Sequence, residues 1–463
     1  MFETLRNAFR VEDIRKRLFF TLLMLVLIRL GSQLPTPGVD PDFMRDFFDA
    51  QTSEAFNFFD AFTGGSFTMM SVFALSITPY ITSSIIMQLL TVAIPKLEEM
   101  KKEGEEGRKK IATITRYLTV ALALVESAAM AIGFGRRGLL VDYNTVNIIV
   151  VVATLTAGTA LLMWIGERIT ENGIGNGISI VLLINILSTL PSDITMLFDR
   201  FVRVHFITGD VEAEALTGTV PAGGGNPAMG VLAALIIILV ILLVYVFVVI
   251  LQSGERKIPV QYSQKIQGRK TFGGQSTHIP LKVNTAGVIP IIFASAMMQF
   301  PVVISGFIGG GEEAAGELGV GGHILRGLNS QFWFNTDYPI YSIGLLIYIF
   351  LTIFFAYFYT AITFNPMEIA NNMKKSGGFI PGIRPGKQTT EYLQKILNYI
   401  IFVGACGLVI IQIIPFFFNG VFAAQVTFGG TSLIIIIGVI LDTIKQIESK
   451  MVVRSYSGFL TNR

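Results

Sequence analysis

Ten apolar stretches run along the chain, at about 18–34, 72–94, 117–134, 146–165, 178–198, 229–251, 286–308, 340–364, 396–418 and 431–447, and polar connections separate them. Roughly 20 apolar residues in a helix cross the hydrocarbon of a bilayer. The pattern therefore predicts an all-α polytopic membrane protein with ten transmembrane helices. The stretch 231–250 is apolar throughout. The first, third and last are shorter or less pure, and they rest partly on the distribution of charge.

Lysine and arginine placement tests the pattern independently. Of 35 such residues, 28 lie in the N-terminal segment, in every second connection and in the C-terminal segment. Six fall in the other five connections, and Arg29 lies within the first stretch. Basic residues stay on the cytoplasmic side, which predicts that both termini face the cytoplasm. Composition agrees: 52% of residues are hydrophobic and 14% charged, whereas a soluble domain carries about 25% charged residues. The net charge of +3 says little about partners. The first stretch is followed by Pro-Thr-Pro without a small-residue cleavage site, so it reads as a retained helix rather than a removed leader.

The connection 199–228 ends in Gly-Gly-Gly-Asn-Pro and splits the chain into halves of five spans, 1–198 and 229–447, followed by a cytoplasmic tail at 448–463. An odd number of spans per half makes the second half enter the membrane in the opposite sense. That is the arithmetic of an inverted repeat, with a pathway expected near the midplane. Pro79 precedes Ile81 by two residues in the second span, and Pro290 precedes Ile292 by two in the seventh.

Several segments depart from plain spanning helix. Residues 56–70 are apolar, too short to cross, and interrupted by Gly64-Gly65. They read either as an interfacial segment on the outer surface or as a re-entrant piece inside the protein, which is permitted where protein or water surrounds it. Glu126 lies mid-span, where a carboxylate costs about 2.5–3.5 kcal/mol on insertion scales. It is either a neutral acid bonded to a neighbouring helix or a functional group, with Thr82 and Asn284 as available partners. Two cytoplasmic connections, 253–284 and 365–395, are long, basic and turn-rich, and carry Arg269, Lys270 and Arg384. They read as solvated loops or as docking surfaces for a large anionic or protein partner. Cys406 is alone, so no internal disulfide is possible, and the three histidines lack metal-ligand spacing. No cofactor or metal is expected.

Five longer motifs carry a resemblance. GERITENGIGNGISI (166–180), QSTHIPLKVNTAGVIP (275–290), KKSGGFIPGIRPGKQT (374–389), FGGTSL (428–433) and KKEGEEGRKKI (101–111) resemble the SecY family of protein-translocation channels, in the same order and between the same spans. The loop with Pro-Gly-Ile-Arg-Pro-Gly is closest to the bacterial form. The resemblance implies two inverted five-helix halves around a central pore, hinged at 199–228, through which unfolded secretory chains cross the membrane or leave sideways into lipid. It implies a pore ring of Ile77, Ile81, Leu182, Ile292 and Ile435, an apolar gasket that dewets against ions. Phe62, Gly64, Gly65, Phe67 and Met70 fall where the family has its plug, which tips the reading of this segment toward re-entrant. Thr82, Glu126, Asn284 and Phe300 fall at its lateral gate. Arg269, Lys270 and Arg384 match its docking positions for the ribosome or the motor ATPase SecA. Implied partners also include SecE-like and SecG-like small membrane subunits, the translocating polypeptide with its signal peptide, and membrane lipid. The implied location is the bacterial inner membrane.

Two other classes compete. An inverted-repeat solute carrier shares the five-plus-five layout, but it needs intramembrane charges for solute and ion, and Glu126 is the main one available. An intramembrane enzyme needs a Ser/His pair, an Asp pair or a zinc motif within spans, and the sequence has none. Energy for transport has to come from a partner or from the membrane potential.

Overall fold

The computed structural model describes residues 6, 9–40, 42–44, 60, 62–201, 203, 227–262, 265–267, 270–272, 276–308, 320–329, 333, 339–422 and 430–461. Each of the ten apolar stretches coincides with a helix. In chain order the helices are α1 (Glu12–Gly31), α2 (Thr78–Ala93), α3 (Pro95–Lys102), α4 (Glu105–Phe134), α5 (Thr145–Asn172), α6 (Gly177–Phe201), α7 (Pro227–Ser253), α8 (Ile289–Ile308), α9 (Val320–Leu328), α10 (Ile343–Thr363), α11 (Pro366–Lys375), α12 (Lys387–Phe422) and α13 (Gly430–Thr461). Four described helical segments are long and apolar enough to cross a bilayer alone: 105–139, 145–172, 340–375 and 387–414. The α2–α3 pair passes the same test together but is bent by 101°. The bend has a local cause. Pro95 has no N–H to offer and holds Ile94 extended at φ −109°, ψ 111°.

The second span starts later than its apolar pattern. Residues 72–77 form turns, and the helix begins only at Thr78, with Pro79 in its first turn. Proline at that place costs no hydrogen bond and fixes φ for the helix that follows. At the other end of the chain, α13 runs on through the tail to Thr461.

The fold is mostly helical, and short strands appear where the two long basic connections lie. Strand β1 (Glu255–Tyr262) pairs antiparallel with β4 (Ser276–Lys282), Ile258 opposite Ile279. Between them, β2 (Lys265–Gln267) and β3 (Lys270–Phe272) form a small hairpin. The other edge of β1 takes β5 (Gly378–Phe379), which comes from the second connection. The two loops are thus one structure. Ile258, Val260 and Leu281 bury their side chains with Met373, Ile380, Leu393, Ile396 and Ile400. Each such residue contributes about 1.5–3 kcal/mol by leaving water, enough to hold a three-stranded sheet on the ends of α11 and α12.

The chain divides into two compact units, Met1–Ile236 with Met298–Gly344 and Pro415–Arg463, and Ile237–Met297 with Leu345–Ile414. In the first unit α2, α4, α5 and α6 pack in sequence order, α1 packs on α5 and α6, and α13 packs on α6. Its apolar centre joins Phe67, Met70, Leu75, Met130, Phe134 and Leu155. In the second unit a polar seam lies within the helices: the Ser295 and Tyr348 hydroxyls are 3.0 Å apart, and the Thr352 hydroxyl donates to Gln412 Oε1 at 3.2 Å. Large apolar side chains such as Leu235, Leu239, Leu242, Leu346 and Phe350 are exposed along α7 and α10. Helix faces with this many exposed apolar side chains suit lipid.

Candidate pore and gate

The candidate ring positions start where α2 begins. Ile77 precedes the first helical turn and is fully buried; Ile81, half-buried, donates its N–H to the Ile77 carbonyl at 3.1 Å, one turn on along the same face. Leu182 sits in the second turn of α6 and Ile435 in the second turn of α13, both buried, on two helices that pack against each other. These four belong to the first compact unit. Ile292 is half-buried in the first turn of α8, in the second unit.

Residues 62–70 lie inside the first unit, not on its surface. Phe62, Thr63, Ser66, Phe67 and Met70 are each at most 7% exposed. A scrap of helix at Phe62–Thr63 gives way to turns in which Gly64 and Gly65 take φ of +70° and +80°, values that glycine reaches freely. The backbone of this segment would be expensive to bury unpaired. Its carbonyls are met by side chains. Asn185 of α6 donates from Nδ2 to the Phe62 carbonyl at 3.1 Å and to Ser76 Oγ at 3.0 Å. The Gly64 carbonyl accepts from Ser188 Oγ at 3.3 Å and from Arg29 Nη1 at 3.2 Å. A Cβ on Gly64 would stand 2.9 Å from Asn185 Cα, so the segment lies against the α6 backbone itself. At its far end Met70 accepts from the Thr36 N–H at 2.9 Å, and the Val72 N–H donates to Leu34 at 2.9 Å. Residues 56–59 and 61 of the apolar segment lie outside the described residues.

Sequence reasoning did not single out Asn185, Ser188 or Ser76. The signal was present: an asparagine in the middle of an apolar span needs a partner, as any polar group at that depth does. Arg29 was noted as an intramembrane charge, and its guanidinium turns out to reach the 62–70 segment.

Of the candidate polar gate residues, Thr82 and Glu126 belong to the first unit and Asn284 to the second. Thr82 donates its hydroxyl back to the Thr78 carbonyl in its own helix at 3.1 Å. Glu126 is half-buried on α4, and among the described residues nothing hydrogen-bonds to it. Asn284 is 5% exposed in the second unit, with its Nδ2 unpaired among the described residues. Phe300 lies within α8, and its side chain is outside the described residues, as is that of Lys270 on β3. Arg269 falls outside them altogether. Arg384 is exposed in the turn before α12, where its carbonyl accepts from Thr389 Oγ1 at 2.9 Å and holds the turn to the helix start.

No group of three or more histidine, cysteine, aspartate or glutamate side chains among the described residues could hold a metal ion. The SecY family model matches residues 71–444. The SecY subunit of the protein translocase from Halalkalibacterium halodurans is 40% identical over 99% of this chain and 100% of its own length. That of Corynebacterium glutamicum is 41% identical over 98% of this chain and 99% of its own. The chain belongs to the SecY family. It is thus a multi-pass membrane channel subunit of a protein translocase rather than an enzyme. Three solved structures share the fold. A protein-conducting channel superposes with a TM-score of 0.59 at 18% identity, covering 95% of this chain and 93% of that one. A SecY whose plug domain stabilises the closed state of the channel and maintains a membrane seal gives 0.58 at 19%, covering 95% and 92%. Canine Sec61 in its ribosome-channel complex from the endoplasmic reticulum gives 0.58 at 17%, covering 95% and 93%.

Proposed function

We propose that this SecY chain conducts unfolded secretory polypeptides through a waist lined by Ile77, Ile81, Leu182, Ile292 and Ile435, and lets transmembrane segments leave sideways past Thr82, Glu126, Asn284 and Phe300. The observation that carries the reading is identity of about 40% to translocase SecY subunits along the whole chain. A gasket of branched aliphatics suits the task, because it dewets against ions and offers no hydrogen bond to distinguish one passing side chain from another.

Residues 62–70, including Phe62, Gly64, Gly65, Phe67 and Met70, act as the plug. Their burial and the side-chain bonds to their carbonyls support this, and a related SecY has a plug domain that stabilises its closed state. The halves 1–198 and 229–447 move about the connection 199–228, and both termini face the cytoplasm, as the lysine and arginine bias requires. The β1–β4–β5 sheet, with Arg269, Lys270 and Arg384 on its connections, is the docking surface for a SecA motor or a ribosome. Arginine's planar fork binds carboxylate or phosphate bidentately, which serves either partner. A ribosome-bound relative of the same fold favours the second. SecE-like and SecG-like subunits complete the assembly in a bacterial inner membrane.

The test is reconstitution. The chain, purified with a SecE-like subunit, is placed in vesicles with SecA, ATP and a secretory precursor. Protease-protected precursor is expected, and its absence with an active SecA would remove the conduction reading.

A further inference from the structure

The motif GIGNG (173–177) joins α5 to α6 on the side assigned to the cytoplasm, and conduction gives it no task. Part of its backbone is held by side chains from helices far away in sequence. Two carbonyls at the end of α5 meet cations: Arg17 Nη1 donates to Glu171 at 3.2 Å and to Gly173 at 3.4 Å, and Lys450 Nζ donates to Gly173 at 3.5 Å. A helix C-terminus carries orphan carbonyls and partial negative charge, so two cations from other helices are favourable there. Two N–H groups entering α6 meet acceptors: Ile174 donates to Thr21 Oγ1 of α1 at 3.2 Å, and Gly175 donates to Gln446 Oε1 of α13 at 3.0 Å. The turn caps itself at the remaining points, with Gly177 N–H donating to Thr170 Oγ1 at 2.8 Å and Ile178 N–H to Asn176 Oδ1 at 3.1 Å.

Apolar packing covers the polar contacts. Ile14 of α1, Ile174 of the turn and Ile447 of α13 are each at most 4% exposed, with Val11, Leu18 and Met451 packed around them. The turn tolerates little change in shape. Gly175 has φ +84°, and a Cβ there would stand 2.7 Å from Ile180 Cδ1. A Cβ on Gly173 would stand 2.5 Å from Thr21 Oγ1. The Lys450 ammonium loses proton affinity through partial burial and the nearby Arg17, so it stands close to a second cation and is held there by the shared carbonyl.

We propose that the GIGNG turn is a fixed joint, which fastens the last helix to α1 and to the α5–α6 corner and keeps them together while the channel opens. This inference rests on the conduction reading. α13 carries Ile435, and α6 carries Leu182. A joint that stays closed makes these two ring positions travel as one body, so α13 moves with the 1–198 half and the motion about 199–228 is taken up by α7 to α12. A small contact held at four backbone groups by side chains of two distant helices is built to keep a geometry, whereas a gate has to let its geometry go.

The test uses the reconstituted complex with Cys406→Ser. Asn172→Cys and Ser449→Cys, exposed positions whose side chains supply none of the joint's bonds, are introduced together, and a bismaleimide is applied. Before crosslinking, precursor transport by this variant shows that conduction is intact, and its loss in the Cys406→Ser parent would count against the conduction reading instead. After crosslinking, the joint predicts unchanged transport. In a second variant, Thr21→Val with Gln446→Leu leaves the Ile174 and Gly175 N–H groups unpaired, and transport falls. The same crosslink restores it, a rescue that a merely structural contact in a moving region would not give. Loss of transport on crosslinking the otherwise normal variant overturns the proposal, and so does failure of the crosslink to rescue the loosened one.

Discussion

Replacing Asn185 with alanine removes the best-placed hold on residues 62–70. Its Nδ2 donates to the Phe62 carbonyl at 3.1 Å and to Ser76 Oγ at 3.0 Å, and Asn185 is 2% exposed. A typical internal hydrogen bond contributes about 0.5–1.5 kcal/mol net, and a buried carbonyl left unpaired costs about 1–3 kcal/mol. The Phe62 carbonyl keeps the Ser76 hydroxyl, at 3.5 Å, so the loss sits near the middle of these figures. A destabilisation of about 1–3 kcal/mol raises the displaced population of the segment roughly 5- to 150-fold, at 1.4 kcal/mol per factor of ten. The assay is thiol labelling at Ser66→Cys in a Cys406→Ser chain. Ser66 is 1% exposed and its hydroxyl has no partner among the described residues, so the probe itself changes little. If labelling follows opening, its rate rises with the displaced population. An unchanged rate in a well-folded Asn185→Ala chain would refute the reasoning, since the segment would then be held by something other than this bond.

Gly64→Ala acts on the same segment from its own backbone: φ +70° costs an L-residue about 1–2 kcal/mol, before the 2.9 Å approach to Asn185 Cα is counted. Faster Ser66→Cys labelling and a lower unfolding midpoint in detergent are expected. Val260→Asp places a carboxylate in the buried cluster under the β1–β4–β5 sheet, at a cost of several kcal/mol, and is expected to expose 255–282 to proteolysis while the helical far-ultraviolet signal stays. Arg116→Ala breaks the surface pair with Glu167, whose N···O distance is 2.6 Å, and changes the unfolding free energy by no more than about 1 kcal/mol because solvent screens both groups.

Much of this molecule could be read from the sequence, because a bilayer leaves the chain few choices. An apolar run of sufficient length has to satisfy its own backbone, so each of the ten stretches appears as a helix, from 18–34 through 431–447. Boundaries were less legible. The run from 72 stays apolar up to Thr78, but hydrophobicity does not distinguish a buried turn from a helix, and Pro79 is the only local mark of the start. Residues 253–284 read as a solvated or docking loop, and their pairing with Gly378–Phe379 sets Gln261 opposite Phe379, 118 positions along, which could not be read locally. Among the site residues, the ring positions are common aliphatics whose apolarity is ordinary, so only family resemblance selected them. Asn185 is the reverse case. Its chemistry stood out in an apolar span, and only the fold shows that it faces the Phe62 carbonyl.

The central claim is that a polypeptide passes the waist. Single cysteines at Ile81 and Ile292, in a chain with Cys406 replaced, are tested for crosslinking to a translocation-arrested secretory precursor that carries its own reactive probe. Crosslinks from both positions are the result this account predicts. Transport of the precursor with no crosslink from either position would contradict it.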